Sequence, residues 1–351
     1  MRKGETMSFK VVNAAKIPGL DMGEKLLESL DATLANGFWR TEDELISNTA
    51  DADAVICTAP LQPFTRRVLG ELAKCRILAS FGLGYDRVDL AAANEYGIVV
   101  TNTPGYCIDE VSDTAVALML ALGRKLFQLD KAVKERQVRF VPFDRKAIEE
   151  IAKPPVLRMR NQTIGIIGLG SIGTATALKA KGLGMRVIGY DPYILGGVLA
   201  SRGIEPVGLD TLLKDSDFVV VHALVTEETR GMLGYEEFKK MKPNSYLINT
   251  SRGDILDQPA LVRALQEGLI AGAGLDVTVD EPVAPDNPLL KMPNVIFTGH
   301  SAWYSAVADS GPEFWYKPME QVILALKGEW PPYAVNPQAK NRWKEKWGKK
   351  S

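Results

Sequence analysis

Thr163-Ile-Gly-Ile-Ile-Gly168-Leu-Gly170-Ser-Ile-Gly173 is the stretch that decides the fold of this chain. A short apolar run leads directly into glycines spaced as G-x-G-x-x-G, and residues 175–183 continue as a helix. A second apolar run then ends at Asp191, 18 residues after Gly173. A strand, a glycine turn, a helix, a second strand and an acid in this order predict a Rossmann-type dinucleotide-binding domain.

Each of the three glycines in the G-x-G-x-x-G spacing has a physical task. Gly168 permits the tight turn, Gly170 lets the backbone approach a pyrophosphate, and Gly173 lets the helix pack against the strand. The first helical turn, which includes Ser171 and Ile172, offers free N–H groups and the positive end of the helix dipole. We therefore predict that residues 168 and 170–173 bind the cofactor phosphates.

Asp191 predicts which dinucleotide is bound. Its carboxylate can accept hydrogen bonds from the hydroxyls of the adenosine ribose, and it repels a 2′-phosphate. The next residues, Pro192 and Tyr193, provide no arginine that would neutralise such a phosphate. The sequence therefore predicts NAD rather than NADP as the cofactor.

Short apolar strands alternate with helices on both sides of the glycine stretch, which predicts parallel α/β sheets. Upstream, the pattern favours helices at 20–30 and 91–96, and strands at 9–15, 54–57, 77–80 and 98–101. Downstream, it favours strands at 164–168, 186–190, 218–222, 245–249, 273–277 and 295–298.

Three segments connect or end these series. Residues 110–136 read as one long helix with Asp109 as its cap, and a further helix is predicted at 313–327. The polar segment 137–160, which contains Pro142, Pro154 and Pro155, reads as a connector with a domain boundary before it. The basic end, 340–351, contains Trp343 and Trp347; we expect a frayed, solvated tail, with contact to anionic lipid or a partner as the alternative.

The bulk properties bound the class of protein. A length of 351 residues suggests two domains, and a net charge of −1 gives no global field for nucleic acid. The three cysteines fit neither a zinc ribbon nor a redox pair, so we expect reduced thiols and no metal site. Residues 1–7 are charged and do not read as a signal peptide, and no stretch is apolar enough to span a bilayer. These features predict a cytoplasmic protein without nucleic-acid or membrane partners.

The chain has two histidines: His222 ends a predicted strand, and His300 follows the last predicted strand. Reduction of a ketone by hydride needs a proton donor near neutral pH, which histidine usually supplies. Ligands of open α/β sheets gather at the carboxyl ends of the strands, so both positions suit a site. By itself, either histidine could instead be structural.

Two charged residues also follow strands and complete a candidate catalytic group. Arg252, in Asn-Thr-Ser-Arg252-Gly, can hold a carboxylate or polarise a keto oxygen. Glu281 can orient a histidine and stabilise its charged form. With His300, they form a plausible site for the reduction of a keto acid, and isolated surface charges are the alternative reading.

Several motifs in one order resemble the D-isomer-specific 2-hydroxyacid dehydrogenase family. They are Phe81-Gly-Leu-Gly84-Tyr-Asp86, Asn102-Thr-Pro-Gly105, Gly168–Gly173, Asn249-Thr-Ser-Arg252-Gly, Gly274-Leu-Asp276-Val through Glu281-Pro282, His300 and Val335-Asn-Pro337. The resemblance implies that Arg252, Glu281 and His300 are the family's catalytic trio. We also predict that His222, Thr250 and Asp276 contact the cofactor.

The same resemblance implies an architecture. The Rossmann-type NAD-binding domain, 113–305, is expected to be inserted into a smaller flavodoxin-like α/β substrate domain formed by 1–112 and 306–351. It also implies a homodimer that associates largely through the cofactor domains.

Within the family, the chain is similar to the corepressors known as C-terminal-binding proteins, through Asp191-Pro-Tyr193 and the run His300–Ser305. In that branch, the residue matching Trp303 reaches the substrate. Ser80 stands where the branch has an arginine that holds the substrate carboxylate, so Arg252 and the N–H groups of Gly82 and Leu83 are expected to hold it.

The sequence thus predicts an NAD-dependent oxidoreductase that acts on a small 2-hydroxy or 2-keto acid. Phe81, Tyr106 and Trp303 suggest an apolar pocket, which favours a keto acid larger than glyoxylate. The first alternative is an NADH-sensing scaffold that binds proteins. The second is oxidation of formate or phosphite, against which Glu281 speaks, because formate enzymes pair the histidine with glutamine.

Overall fold

The computed structural model describes residues 8–137, 145–153, 155–305 and 312–349. Its strands follow the apolar runs of the sequence. They are β1 Phe9–Asn13, β2 Ala32–Asn36, β3 Ala54–Cys57, β4 Ile77–Ser80, β5 Val99–Thr101, β6 Thr163–Ile167, β7 Arg186–Tyr190, β8 Glu205–Pro206, β9 Phe218–Val221, β10 Tyr246–Asn249, β11 Gly272–Leu275 and β12 Val295–Phe297.

Helices connect and flank these strands. They are α1 Glu42–Thr49, α2 Arg66–Glu71, α3 Leu90–Tyr96, α4 Ile108–Gly123, α5 Leu126–Lys134, α6 Arg145–Ile151, α7 Ser171–Gly182, α8 Gly196–Ser201, α9 Leu209–Asp215, α10 Tyr235–Lys240, α11 Gln258–Gln266, α12 Pro312–Leu326 and α13 Lys340–Trp347. Across the described ranges, no helix combines the length and the apolar character needed to cross a membrane.

The chain divides into two compact units, and the second is inserted into the first. The first unit comprises Met1–Tyr106 and Ala306–Ser351, and the second comprises Cys107–Ser305. The junction between the units therefore precedes α4. The sequence predicted it later: the resemblance placed it after 112, and the polar connector placed it before 137. The physical reason is that α4 packs against β10, β11 and α7 of the second unit.

The first unit is a parallel five-stranded sheet in the flavodoxin-like order β2-β1-β3-β4-β5. Successive residues of a strand face opposite sides, so Val55 packs with α1, α2 and α3, while Ile56 packs with α12 and α13. Burial on both faces explains why β3 is apolar throughout and why β4 is apolar up to Ser80, its last residue.

The second unit is a parallel seven-stranded sheet in the order β12-β11-β10-β9-β6-β7-β8. The strand β6 lies between β9 and β7, as in a Rossmann fold, which confirms the predicted fold class. Because all strands run in one direction, the segments that follow β6, β7, β9, β10, β11 and β12 meet at one edge of the sheet. Every predicted cofactor and catalytic residue of this unit follows one of these strands.

The amino-terminal third departs from the predicted pattern. The helix expected at 20–30 is a short 3₁₀ helix, Glu24–Ser29. Asp21 and Glu24 accept backbone N–H groups two residues away, from Gly23 and Met22, and such local bonds compete with an α-helix. The strand β2 and the helices α1 and α2 were not predicted, and β2 is a partly exposed edge strand without a strong apolar pattern.

The long helix predicted at 110–136 is two helices. Lys125 lies between α4 and α5 in the left-handed conformation, with φ of 58°. Its ammonium group turns inward and donates to the Tyr246 hydroxyl at 2.7 Å, so a tertiary contact breaks the helix. The start also differs: Cys107 is the N-cap residue, and the Asp109 carboxylate pairs with Lys179 instead.

The connector predicted at 137–160 contains a helix, α6. Pro142 and Pro154 lie outside the described residues, as do residues 1–7. The three cysteines, Cys57, Cys75 and Cys107, are buried and free.

The carboxyl-terminal segment corrects the expectation of a frayed tail. Residues 340–347 form α13, and the Trp343 side chain is fully buried. Its indole N–H donates to the carbonyl of Arg76 at 2.7 Å, and its ring meets Trp330 edge to face. The two tryptophans that looked like a membrane or partner signal instead attach this helix to the first unit.

Candidate active site

The glycine turn after β6 has the geometry that a dinucleotide requires. Gly168 has φ of 86°, and a Cβ there would lie 2.7 Å from the Ala223 nitrogen. A Cβ on Gly173 would lie 2.1 Å from the Gly168 carbonyl oxygen, so only glycine lets α7 pack this closely. At Gly170, by contrast, a Cβ would meet no described atom within 4 Å. The turn therefore leaves no room for a side chain at Gly168 or Gly173, but it leaves space for a ligand at Gly170.

The amino terminus of α7 faces this open position. Gly170 is the N-cap residue, and no described side chain caps the helix. The N–H groups of the first turn, from Ser171 to Gly173, are therefore available to a phosphate, which the helix dipole also attracts.

Asp191 follows β7 and is tied to the glycine turn. Its Oδ2 accepts the Leu169 N–H at 2.8 Å, and its Oδ1 accepts the Tyr193 N–H at 2.9 Å. Each carboxylate oxygen has a second lone pair that can accept a ribose hydroxyl. The turn, the helix terminus and the acid thus fit the pyrophosphate and adenosine ribose of NAD.

His222 lies at the end of β9 between two hydroxyl groups. Its Nε2 lies 2.9 Å from Thr176 Oγ1, and its Nδ1 lies 3.4 Å from Thr250 Oγ1. Burial lowers the pKa of His222 to about 3, so the ring is neutral at physiological pH. This histidine cannot serve as the protonated donor, which leaves that task to His300. No sequence pattern pointed to Thr176 as its partner.

His300 follows β12 and pairs with Glu281. The distance from His300 Nδ1 to Glu281 Oε2 is 2.6 Å, and both side chains remain about one third exposed, at 35% and 38%. Within the described ranges, His300 Nε2 has no hydrogen-bond partner. The imidazole is therefore oriented on one side by a carboxylate and open on the other.

The charge of Glu281 is stabilised by its surroundings. Burial opposes its ionisation, but the hydrogen bond and charge of His300 outweigh it, with help from the Thr278 N–H and the charge of Arg252. Together they hold the pKa of Glu281 below its ordinary value. Glu281 is therefore an anion at neutral pH and accepts a hydrogen bond from His300 Nδ1.

Arg252 lies in the turn after β10, on the same edge. The Asn249 side-chain amide donates to the Arg252 carbonyl at 2.8 Å, and Arg252 Nη1 donates to the Ser251 carbonyl at 2.7 Å. The adjacent Gly253 packs so tightly that a Cβ would lie 2.0 Å from the Thr278 carbonyl carbon. The structure thus brings an arginine, an acid and a histidine together within the second unit.

Asp276 organises the loop that carries His300. It is 4% exposed, and its Oδ1 accepts the Thr298 hydroxyl at 2.5 Å and the Ser301 N–H at 3.0 Å. Its carbonyl accepts the His300 N–H at 2.5 Å. The sequence assigned Asp276 to the cofactor; the structure shows its carboxylate holding this loop, and contact with the nicotinamide stays a prediction. Thr298, two residues before His300, was missed.

Trp303 lies beside His300 in the same loop. Its indole N–H donates to the His300 carbonyl at 2.9 Å, and its ring meets Tyr304 edge to face at 5.7 Å. The ring is 37% exposed, so an aromatic surface is available next to the histidine.

In the first unit, Phe81 lies in the core and not on an open surface. It is 4% exposed and contacts Phe314 and Trp315, and Tyr106 stacks on Phe314 at 3.7 Å. Of the three aromatic residues expected to line an apolar pocket, Phe81 is therefore buried and Tyr106 is partly buried against the same cluster. The adjacent turn differs: Gly82 has φ of 80° and an open Cβ position. Among the described residues, neither the Gly82 nor the Leu83 N–H finds an acceptor.

Comparisons with known proteins identify the family of this chain. The NAD-binding domain of the D-isomer specific 2-hydroxyacid dehydrogenases matches residues 116–302. A glyoxylate reductase of Korarchaeum cryptofilum is 37% identical over 325 residues, which cover 90% of this chain and 94% of that protein. The chain belongs to the D-isomer specific 2-hydroxyacid dehydrogenase family.

Solved structures show the same fold over nearly the whole chain. A glyoxylate reductase from Paecilomyes thermophila has a TM-score of 0.81 at 26% identity and covers 95% of this chain and 99% of that one. The holo form of Rhodotorula graminis D-mandelate dehydrogenase has a TM-score of 0.80 at 26% identity, with 93% and 97% covered. The protein is thus an NAD-dependent oxidoreductase that acts on the CH–OH group of 2-hydroxy acids.

Proposed function

We propose that Arg252, Glu281 and His300 carry out the reduction of a 2-keto acid to its D-2-hydroxy acid, and the reverse reaction. The observation that carries this proposal is the 2.6 Å contact between His300 and Glu281, with Arg252 close enough to stabilise the charge of Glu281. These groups lie at the sheet edge that also carries the glycine turn and Asp191.

Each residue has one task in the reducing direction. Bound NADH supplies the hydride that reaches the keto carbon. Arg252 holds the substrate carboxylate and polarises the keto oxygen. His300 donates the proton on Nε2 to that oxygen, and Glu281 stabilises the imidazolium through Nδ1 until the transfer. In oxidation, His300 Nε2 accepts the hydroxyl proton.

The turn at Gly82 and Leu83 offers two N–H donors of the kind that bind a carboxylate. That these donors hold the substrate stays a prediction, as do the cofactor contacts of His222 and Thr250. Trp303 is the one predicted pocket aromatic whose ring has an open surface beside His300. It alone supports the expected preference for larger keto acids.

The function is tested with a panel of 2-keto acids. We expect NADH-dependent reduction of at least one among glyoxylate, hydroxypyruvate, pyruvate and phenylpyruvate, with a D-hydroxy acid as the product of each prochiral substrate. Glyoxylate is included because curated relatives are named as its reductases. A Trp303→Ala variant should shift kcat/KM toward glyoxylate. If NADH binds tightly but no keto acid is reduced, the proposed reaction is wrong.

Glu281→Gln should change the pH dependence of the reaction. The amide keeps hydrogen-bonding capacity but removes the negative charge beside the imidazole. Since the pKa of Glu281 is held below its ordinary value, the wild-type carboxylate is charged at neutral pH and loses that charge only in acid. We therefore expect kcat/KM to fall about ten-fold at neutral pH and the difference from wild type to shrink as the pH falls. The measurement is kcat/KM against pH, with the exposed neighbour Asp280→Asn as control. An unchanged profile in Glu281→Gln would contradict the stated role of the carboxylate.

Three finer proposals rest on the sequence. The similarity to the corepressor branch rests on Asp191-Pro-Tyr193, Trp303 and their neighbours, and a pull-down with and without NADH tests a protein-binding role.

A homodimer would sediment at about twice the chain mass of 38.4 kDa. A cytoplasmic location suits the three buried free cysteines, which need a reducing compartment to remain thiols.

A further inference from the structure

An exposed tyrosine beside the cofactor site is held at two points. Tyr193 is 76% exposed, yet its hydroxyl donates to Glu228 Oε2 at 2.5 Å. At its other end, its backbone N–H donates to Asp191 Oδ1 at 2.9 Å. The ring therefore extends from the acid predicted to bind the adenosine ribose to an acid on a different loop, 35 residues away in sequence.

The order of the strands shows which part of the sheet the Tyr193–Glu228 contact crosses. Tyr193 follows β7 and Glu228 lies beyond β9, and β6 lies between these two strands. The Tyr193–Glu228 bond thus spans the carboxyl end of β6, from which the glycine turn emerges. Because the adenosine half of a dinucleotide lies between the segments that follow these flanking strands, the bond crosses the place where that half binds.

Glu228 is held in place by its own turn. The Thr226 N–H donates to Thr229 Oγ1 at 2.8 Å, and the Thr229 N–H donates to Thr226 Oγ1 at 3.2 Å. The Thr229 hydroxyl also donates to the Leu224 carbonyl at 2.6 Å. A turn closed by these bonds fixes the backbone at Glu228, and the Tyr193 hydroxyl holds the carboxylate itself.

We infer that Tyr193 and Glu228 form a clasp over the adenosine half of the cofactor, and that Glu228 is a second determinant of NAD over NADP. The clasp slows release of the adenosine, and the Glu228 carboxylate adds to the repulsion of a 2′-phosphate by Asp191. This inference rests on the proposed cofactor site and goes beyond the assignment of Asp191 alone.

The charges around the clasp support this assignment. The hydrogen bond to Glu228 raises the pKa of Tyr193, so the phenol stays neutral and the bridge carries the single negative charge of Glu228. A cation also lies on this side of the unit, since Arg202 Nη1 donates to Thr174 Oγ1 at 3.0 Å in the first turn of α7. A second arginine, Arg230, lies two residues from Glu228 but is paired with Asp254 at 2.7 Å.

The role of the Glu228 charge is tested with Glu228→Gln. The control is Glu227→Gln, which removes the same charge from the adjacent exposed residue. Dissociation constants of NADH and NADPH are measured by fluorescence titration, without turnover. We expect Glu228→Gln to tighten NADPH binding about five-fold and to change NADH binding little, because a like charge near the phosphate is removed. Glu227→Gln should change the ratio by less than about two-fold, because the carboxylate it removes does not bridge to Tyr193. Equal effects of the two variants, or no effect of Glu228→Gln, would overturn the assignment.

The clasp itself is tested with Tyr193→Phe, which removes the hydroxyl and keeps the ring. We expect the dissociation rate of NADH, followed by stopped flow, to rise about three-fold. An unchanged rate would overturn the clasp. Neither test uses a keto acid, so a failure of the proposed reaction and a failure of this inference are separately visible.

Discussion

Replacing His300 by alanine is expected to lower the turnover of keto-acid reduction by about 10²–10⁴-fold, the usual contribution of a positioned proton donor. The reason is the geometry of the pair: Nδ1 is bound to Glu281 at 2.6 Å, and Nε2 is directed away from that contact. No other described imidazole can take over the proton transfer, because His222 is neutral between Thr176 and Thr250.

The affinity for NADH should remain within a few-fold in the same variant, because the glycine turn and Asp191 lie on other segments. Titration of NADH fluorescence checks this, and steady-state kinetics gives kcat. Added imidazole should restore part of the lost rate if the missing group is a proton donor. A variant that reduces keto acids at a nearly normal rate would remove the proton-transfer role from His300.

Replacing Trp343 by alanine is expected to destabilise the first unit by about 3–5 kcal/mol, the usual cost of truncating a fully buried tryptophan. Trp343 packs among residues of α12 and the sheet, and its N–H satisfies the Arg76 carbonyl. The truncation leaves a large cavity, and the Arg76 carbonyl keeps the Val99 N–H as its donor, so the expected cost comes mainly from lost packing.

Urea unfolding of the full chain, followed by circular dichroism, measures this effect as a lower midpoint for the transition of the first unit. Because the chain has two compact units, the transitions are fitted separately rather than as one two-state process. Lys344→Ala, on the exposed side of the same helix, is the matched control and should change stability by less than about 0.5 kcal/mol. Equal midpoints for the two variants would mean that α13 is not part of the core.

The apolar strands inside the second sheet were predicted from the sequence, and two edge strands were not. The strand β7 has the predicted bounds, 186–190, and the strands β9 to β12 differ from their predictions by a few residues at their ends. The strands β9, β10 and β11 are buried and β12 is partly buried, and their apolar runs are bounded by polar or glycine residues. The edge strands β2 and β8 were missed, because an edge strand need not be apolar throughout.

The sequence also predicted which residues belong to the candidate site, but not their hydrogen-bond partners or their burial. Both histidines were candidates, and only the structure shows that Thr176 and Thr250 surround the ring of one while Glu281 meets the ring of the other. Phe81 was predicted to face a substrate, but it packs in the core. Its neighbours there, Phe314 and Trp315, lie more than two hundred residues away in sequence.

The amino-acid sequence by itself determined the dinucleotide-binding turn, the acid that follows β7, the parallel α/β class and the family. Each of these depends on short-range rules: glycine alone adopts the required backbone angles, and apolar runs of a few residues form buried strands. Only the tertiary structure decided which histidine is neutral, which aromatic rings are buried, and that Tyr193 meets Glu228. Burial and pairing join residues far apart in the chain, and no local pattern contains that information.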